Sequence, residues 1–564
     1  MQFSEFKYVR PDLDKFSNEY EKLISGLKNS NTKESAIENI YEINDLKYHF
    51  ETMKTISSIR YTSNTQDKFY DEERSYFDNI KPKIEALNKK YYETLINLKN
   101  KSELEKEIGS HLFRIAETVI STYSDEISDD IIEESKLVNE YVKLMANADI
   151  QIDGKSYNIS EIAKFINSPD RSVRENAVKS KWKFFESKSK ELDRIFDGLV
   201  KVRTRIAHKL GFKNYVDLGY ARMKRTDYSK NEVKKFRESI LKYLVPVSNN
   251  LKNKQAKRLG LDNLKYYDNA VDFLSGNATP KGNPEWIMDK AKIMYKELSN
   301  ETGEFIDFMI DKNLLDLYAK PGKSPGGYCT FIADYKAPFI FSNMNGTSDD
   351  IRVLTHEAGH AFQGFCSRDF KISEYRNPTL EACEIHSMSM EFLTWDWMDL
   401  FFEGDTEKFK FSHLERALTF IPYGVTVDEF QHIVYENPDL SPADRKKAWR
   451  ETEKKYTPYR DYEGISYLEE GSLWQKQTHI YRIPFYYIDY CLAQICALQY
   501  WKKSTEDKTK TWNEYYELCK QGGKFNFTEL IKIAKINSPF EDSTVKNTVD
   551  FSNSYLEKID DSRF

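Results

Sequence analysis

Apolar residues return every three or four positions through nearly all of the first 145 residues. Ile37, Ile40, Ile43, Leu46, Phe50, Met53 and Ile56 fall on one face of a helix, a spacing that suits 3.6 residues per turn. Asn31-Thr-Lys-Glu34 ahead of them supplies a cap. Similar stretches lie at about 67–98, 103–124 and 128–146. The period fails at Ile150–Ile159, where Asp153-Gly154 suits a tight turn between two short strands. Ser168-Pro-Asp-Arg171 then opens a helix expected to run from 169 to 209, with Ser168 as cap and Pro169 in its first turn. His208, near its end, reads as a surface histidine favoured by the helix dipole.

Helical periodicity continues from Gly219 to about 259, a loop follows over 262–282, and an amphipathic helix reaches about 302. The character changes at Pro321-Gly-Lys-Ser-Pro-Gly-Gly327. Two short strand-like runs come next, Tyr328–Tyr335 and Pro338–Ser342. The exposed edge of such a sheet can hold an extended peptide through backbone hydrogen bonds, with Gly326 and Gly327 at its entry. Nothing around those two glycines forms a P-loop, so phosphate binding is excluded. The class expected is mainly α with a small β-sheet. At 564 residues one core is unusual, and two helical lobes are expected, residues 1–200 and 201–564.

The chemistry concentrates in Val353–Phe362. His356 and His360 stand four residues apart, roughly 40° apart around a helix. Both imidazoles then project from one face and can share one Zn²⁺ ion. Glu357 leaves at another angle and can instead take a proton from a water beside the ion. This is the H-E-x-x-H arrangement. Ile351, Val353, Leu354, Ala358, Ala361, Phe362 and Phe365 flank these groups, so the helix is buried and its polar side chains need partners. A third protein ligand is required. No third histidine follows closely, since Gln363, Gly364 and Ser367 occupy the downstream positions. The next helix, Pro378–Phe392, offers Glu381, Glu384, His386 and Glu391, among which spacing does not choose.

His356-Glu-Ala-Gly-His360 followed by Glu384-Ile-His-Ser-Met-Ser-Met-Glu-Phe392 resembles the thimet oligopeptidase-like zinc metallopeptidases, in their oligoendopeptidase F branch. The resemblance extends to Arg10-Pro-Asp12, Gly219–Met223, Pro422–Phe430 and Pro484–Tyr490. It implies Glu384 as the third ligand. It makes Glu381, one turn earlier, an acceptor for a ligating imidazole, a role that stands beside simple helix capping. It also implies two helical lobes around a deep central channel that excludes folded proteins, leaving oligopeptides as substrates. Hydrolysis builds an oxyanion that needs donors. The resemblance assigns His479 and Tyr490 to it, with Tyr486 or Tyr487 contacting substrate. On composition alone, that aromatic stretch suits packed core equally well. His413 and His432, in helical context, read as structural.

Composition narrows the setting. A net charge of −6 gives no basic face for nucleic acid. Six cysteines without paired spacing suit a reducing compartment. Neither a leader peptide nor a run of 18 apolar residues is found. A cytoplasmic globular enzyme without membrane partners is expected. Two rival readings remain. A helical zinc carboxypeptidase would need a cation such as Arg482 to fix the substrate's C-terminus. A scaffold with structural zinc would need a closed, often cysteine-rich site, which is not found near His356.

Overall fold

The structure is a computed structural model that describes residues 1–564, and it is mainly α. The periodic N-terminal stretch forms helix Lys33–Ser63, and Thr32 caps it by accepting from the Ser35 amide. Asp12 and Asp67 cap the neighbouring helices Leu13–Lys28 and Lys68–Ile96. The 103–124 stretch is two helices, Lys101–Ile108 and His111–Ser121, parted at Gly109 with φ +97°. These helices bury a core of their own around Tyr20, Ile40, Tyr91 and Leu112, which Ile372 and Tyr375 enter from far along the chain. Helix Ser128–Ala146 and those up to Lys209 turn their apolar faces into a second, larger core instead.

The hairpin pairs Ile150–Ile152 antiparallel with Lys155–Tyr157. Asp153 at φ 50° and Gly154 at φ 76° supply the left-handed pair such a turn needs. The long helix expected over 169–209 is two, Arg171–Ser187 and Ser189–Lys209, interrupted at Lys188. Asp170, not Ser168, is its cap. Its carboxylate accepts from the amides of Ser172 and Val173, while the Ser168 hydroxyl accepts from the Asp170 amide outside the helix. A charged cap also complements the helix dipole. The helix after 282 divides in the same way into Pro284–Leu298 and Asn300–Asp311, with Ser299 capping the second. His208 is exposed near the end of its helix, as expected.

The sheet has three strands rather than two. Tyr328–Ile332 runs antiparallel to Ala337–Met344, and Leu315–Tyr318 lies parallel on the other side. Leu315–Tyr318, Leu-Asp-Leu-Tyr, is only four residues long, too short for a period to mark it. The order leaves Tyr328–Ile332 as an edge strand.

Behind the sheet lies helix Ser348–Cys366, and against it helix Leu380–Leu393. Gly359 allows their close approach. A Cβ there would meet the His386 carbonyl oxygen at 2.5 Å and Ser387 Cα at 2.6 Å. Helix Tyr487–Glu506 packs on Leu380–Leu393, and Thr406–Glu436 packs behind it. No helix is long and apolar enough to cross a membrane.

Candidate metal centre

Two short-range hydrogen bonds to one carboxylate aim helix Ser348–Cys366. The Asp350 carboxylate accepts from the amides of Asn345, 2.9 Å, and Gly346, 2.7 Å, tying the strand exit to the first turn. Further along the helix the rings of His356 and His360 stand 5.0 Å apart, nearly perpendicular. The Nε2 atoms of His356 and His360 lie 3.3 and 3.5 Å from Oε2 of Glu384. The three residues offer ligand atoms that all lie within 4.8 Å of one another. Two imidazole nitrogens and one carboxylate oxygen are a donor set that suits Zn²⁺ with a coordination position left open.

Glu384 is held from both sides. Tyr486 donates to Oε1 at 2.6 Å and Ser387 to Oε2 at 3.0 Å. Burial opposes its charge, yet His360 and His356 hold its carboxyl well below the usual range. Burial likewise opposes a charged His356, but hydrogen bonds to Glu384 and Glu391 raise it to about 10. The pocket thus favours positive charge at the point where the three side chains meet.

The outer partner of the imidazole is Glu391, not Glu381. His356 Nδ1–H donates to Glu391 Oε1 at 2.7 Å. His413 Nε2–H donates to Glu391 Oε2 at 2.8 Å, while its Nδ1 accepts from Trp395 Nε1–H at 2.9 Å. An indole nitrogen can only donate, so the tautomer of His413 follows. Burial works against Glu391, but these two histidines bring it down to about 2. His413, expected as structural, is therefore joined to His356 by two hydrogen bonds through Glu391. Glu381 instead accepts from the Tyr228 hydroxyl, with Arg225 Nε 4.0 Å away. His386 is buried beside Cys519, its Nδ1 3.5 Å from the sulfur, and burial lowers it to about 3. His432 is buried against Tyr220, which its Nε2 meets at 3.2 Å.

Glu357 is buried, and desolvation raises its carboxyl pKa. Gly327 passes directly beside it, since a Cβ on Gly327 would lie 3.7 Å from Glu357 Oε1. Gly326, with φ +92°, has its carbonyl fixed by Asn343 Nδ2 at 2.8 Å. The edge strand therefore begins at the free carboxylate.

The aromatic stretch folds over the same point. Gln477 Nε2 donates to His479 Nδ1 at 2.8 Å, and the Tyr423 hydroxyl fixes that amide by donating to Gln477 Oε1 at 2.9 Å. The proton of His479 is thus left on Nε2, and burial keeps the ring neutral with a pKa of about 4. Its ring lies 5.8 Å from Tyr486, 5.1 Å from Tyr487 and 5.9 Å from Tyr490. Tyr490 stands near both Glu384 and Glu357. Tyr487 is buried against Phe420 and Tyr423. Arg482 is exposed.

Residues 164–549 match the model of Peptidase family M3, and residues 3–123 that of the Peptidase M3 N-terminal domain. The chain belongs to peptidase family M3. This M3 chain is 23% identical over 432 residues to an oligoendopeptidase F homolog of Borreliella burgdorferi, covering 74% of this chain and 70% of that protein. It matches a solved structure of Pz peptidase A with an inhibitor at a TM-score of 0.97 and 51% identity, covering 100% of both chains. A crystal structure described as an oligoendopeptidase F from Bacillus anthracis str. Ames matches at 0.92 and 48%, covering 100% of this chain and 99% of that one. The M3 peptidase thus lies in the oligoendopeptidase F branch, has the helical fold of that branch, and is a metalloendopeptidase.

Proposed function

We propose that this M3 peptidase is zinc-dependent and cuts internal bonds of short oligopeptides. The observation that carries the reading is the meeting of His356, His360 and Glu384 side chains within 4.8 Å, beside a buried carboxylate, Glu357, that is not one of the three. His356, His360 and Glu384 would hold the ion. When bound, zinc polarises a carbonyl and lowers the pKa of water. Glu357 serves as general base, because desolvation has raised its proton affinity. It then returns the proton to the leaving amine. His479 Nε2–H and the Tyr490 hydroxyl are donors for the oxygen that gains charge. Tyr486 orients Glu384, and Tyr487 backs the wall on which substrate side chains rest. The edge strand entered at Gly326 and Gly327 receives the peptide backbone, and the lack of side chains there keeps Glu357 accessible.

Two helical lobes enclosing a deep channel, with the division near residue 200, would restrict substrates to oligopeptides. The six free cysteines support a reducing, cytoplasmic setting. Arg482, the cation that the carboxypeptidase reading would use, is exposed.

Glu357→Gln tests the proposal. The variant is expected to keep one zinc per chain while kcat falls by about 10²–10⁴-fold. Full turnover by this variant would rule out the assigned base, and loss of zinc would show that the carboxylate is a ligand.

A further inference from the structure

Three residues before His479, Lys476 joins Lys181 and Arg460 in a group of cations, with Tyr266, that the reaction does not use. Lys181, Tyr266, Arg460 and Lys476 come from four separate segments, and all four side chains are half-buried. Lys476 Nζ is 3.4 Å from the Tyr266 hydroxyl. Tyr266 stacks edge-on to Trp182 at 6.1 Å, and Lys181 Nζ lies 5.9 Å from that indole. Arg460 and Lys476 both sit over the Tyr423 ring, at 4.9 and 5.7 Å.

Positive charge here is not balanced. The one carboxylate acting on Lys476 is Glu453. Glu453 is already committed to Arg450 at 3.0 Å, Arg460 at 2.9 Å and the Tyr462 hydroxyl at 2.5 Å. Burial disfavours a charged Lys181, and so does the neighbouring Lys476. Burial, and then the neighbouring cation, pushes each lysine down to about 8. Lysines that are held together, partly desolvated and unpaired cost free energy unless an anion joins them.

Their position relates them to the candidate metal centre. Tyr423 is 5.9 Å from Tyr487, which is 5.1 Å from His479. An extended peptide covers that path in at most roughly five residues. The group therefore lies within reach of a bound oligopeptide.

We propose that Lys181 and Lys476, with the Tyr266 hydroxyl and Arg460, form a subsite for a carboxylate of the bound peptide. The inference rests on the peptidase reading above. The carboxylate can be the peptide's own C-terminus or an acidic side chain, and both present the same planar acceptor to the two ammonium groups. A charged group held there would fix the register of the bound peptide.

The test uses one peptide sequence in three forms on the full-length zinc enzyme. These are the free C-terminal acid, the C-terminal amide, and the amide carrying Asp at successive downstream positions. The wild type is expected to cut a carboxylate-bearing form with kcat/KM higher than the plain amide by about tenfold or more, chiefly through KM. Preference for the acid identifies the C-terminus as the source, and recovery by one Asp position identifies a side chain. The ratio should fall towards one in Lys476→Met and, independently, in Lys181→Met. Equal kcat/KM for all forms in the wild type would overturn the subsite, as would an unchanged ratio in both variants. Failure to cut any form would instead count against the peptidase reading itself.

Discussion

Glu391 accepts on each of its carboxylate oxygens, from His356 Nδ1 and from His413 Nε2. This fixes the tautomer that leaves His356 Nε2 free to coordinate, and it raises the basicity of that nitrogen. Trp395 keeps His413 in the donating form. Replacing Glu391 by Gln puts an N–H₂ group against one of two N–H donors. Zinc affinity is expected to fall about 10–100-fold, measurable by competition with a chromogenic chelator, with little change in far-UV circular dichroism. Unaltered affinity would remove Glu391 from the account. At this scale His356, Glu357 and His360 were legible in the sequence, because their relation is contained in one helical turn. The choice between Glu381 and Glu391 was not, because it depends on how two helices cross. Gly359 faces His386, and His356 lies by Glu391. The pair therefore runs antiparallel, so a residue early on one helix meets one late on the other. His413 belongs to a third helix with no spacing relation to either.

The crossing at Gly359 also sets what the helices can tolerate. A methyl group there meets backbone atoms of His386 and Ser387 at 2.5 and 2.6 Å, and backbone has nowhere to rotate. Gly359→Ala is expected to destabilise the protein by about 1–3 kcal/mol and to weaken zinc binding, because Glu384 is carried on the displaced helix. Thermal unfolding with and without zinc measures both, and a variant as stable as the wild type would place the crossing elsewhere. Helix positions followed from periodicity wherever an apolar face was continuous. Interruptions did not, as at Lys188, because the helices on both sides of the break face the same core and the apolar period carries across it. The strand Leu315–Tyr318 escaped for the opposite reason, being too short to show a period.

Across the whole molecule, burial holds four histidines neutral: His111 at about 4, His386 at about 3, His432 at about 4 and His479 at about 4. Each has a pKa near 6.5 when unfolded. Between pH 6.5 and 4 these four rings therefore bind more protons in the unfolded chain than in the folded one, and their contribution to stability falls as pH is lowered through that window. The urea midpoint is expected to drop steadily from pH 7 to pH 4.5. A flat profile would mean that these rings are solvated. The helical class and its family were legible from residue pattern and motif. The distribution of cores was less so. Ile372 and Tyr375 join the N-terminal cluster from far along the chain, and only the folded arrangement brings them there.

The central claim is a zinc ion held by two imidazoles of one helix and a carboxylate of the next. Anomalous diffraction above and below the zinc absorption edge tests it on crystals of the protein grown without added metal. The expected result is one peak per chain, about 2.0–2.2 Å from Nε2 of His356, Nε2 of His360 and a carboxylate oxygen of Glu384. A peak at another cluster, or one with Glu384 replaced by Glu357 as ligand, would contradict it.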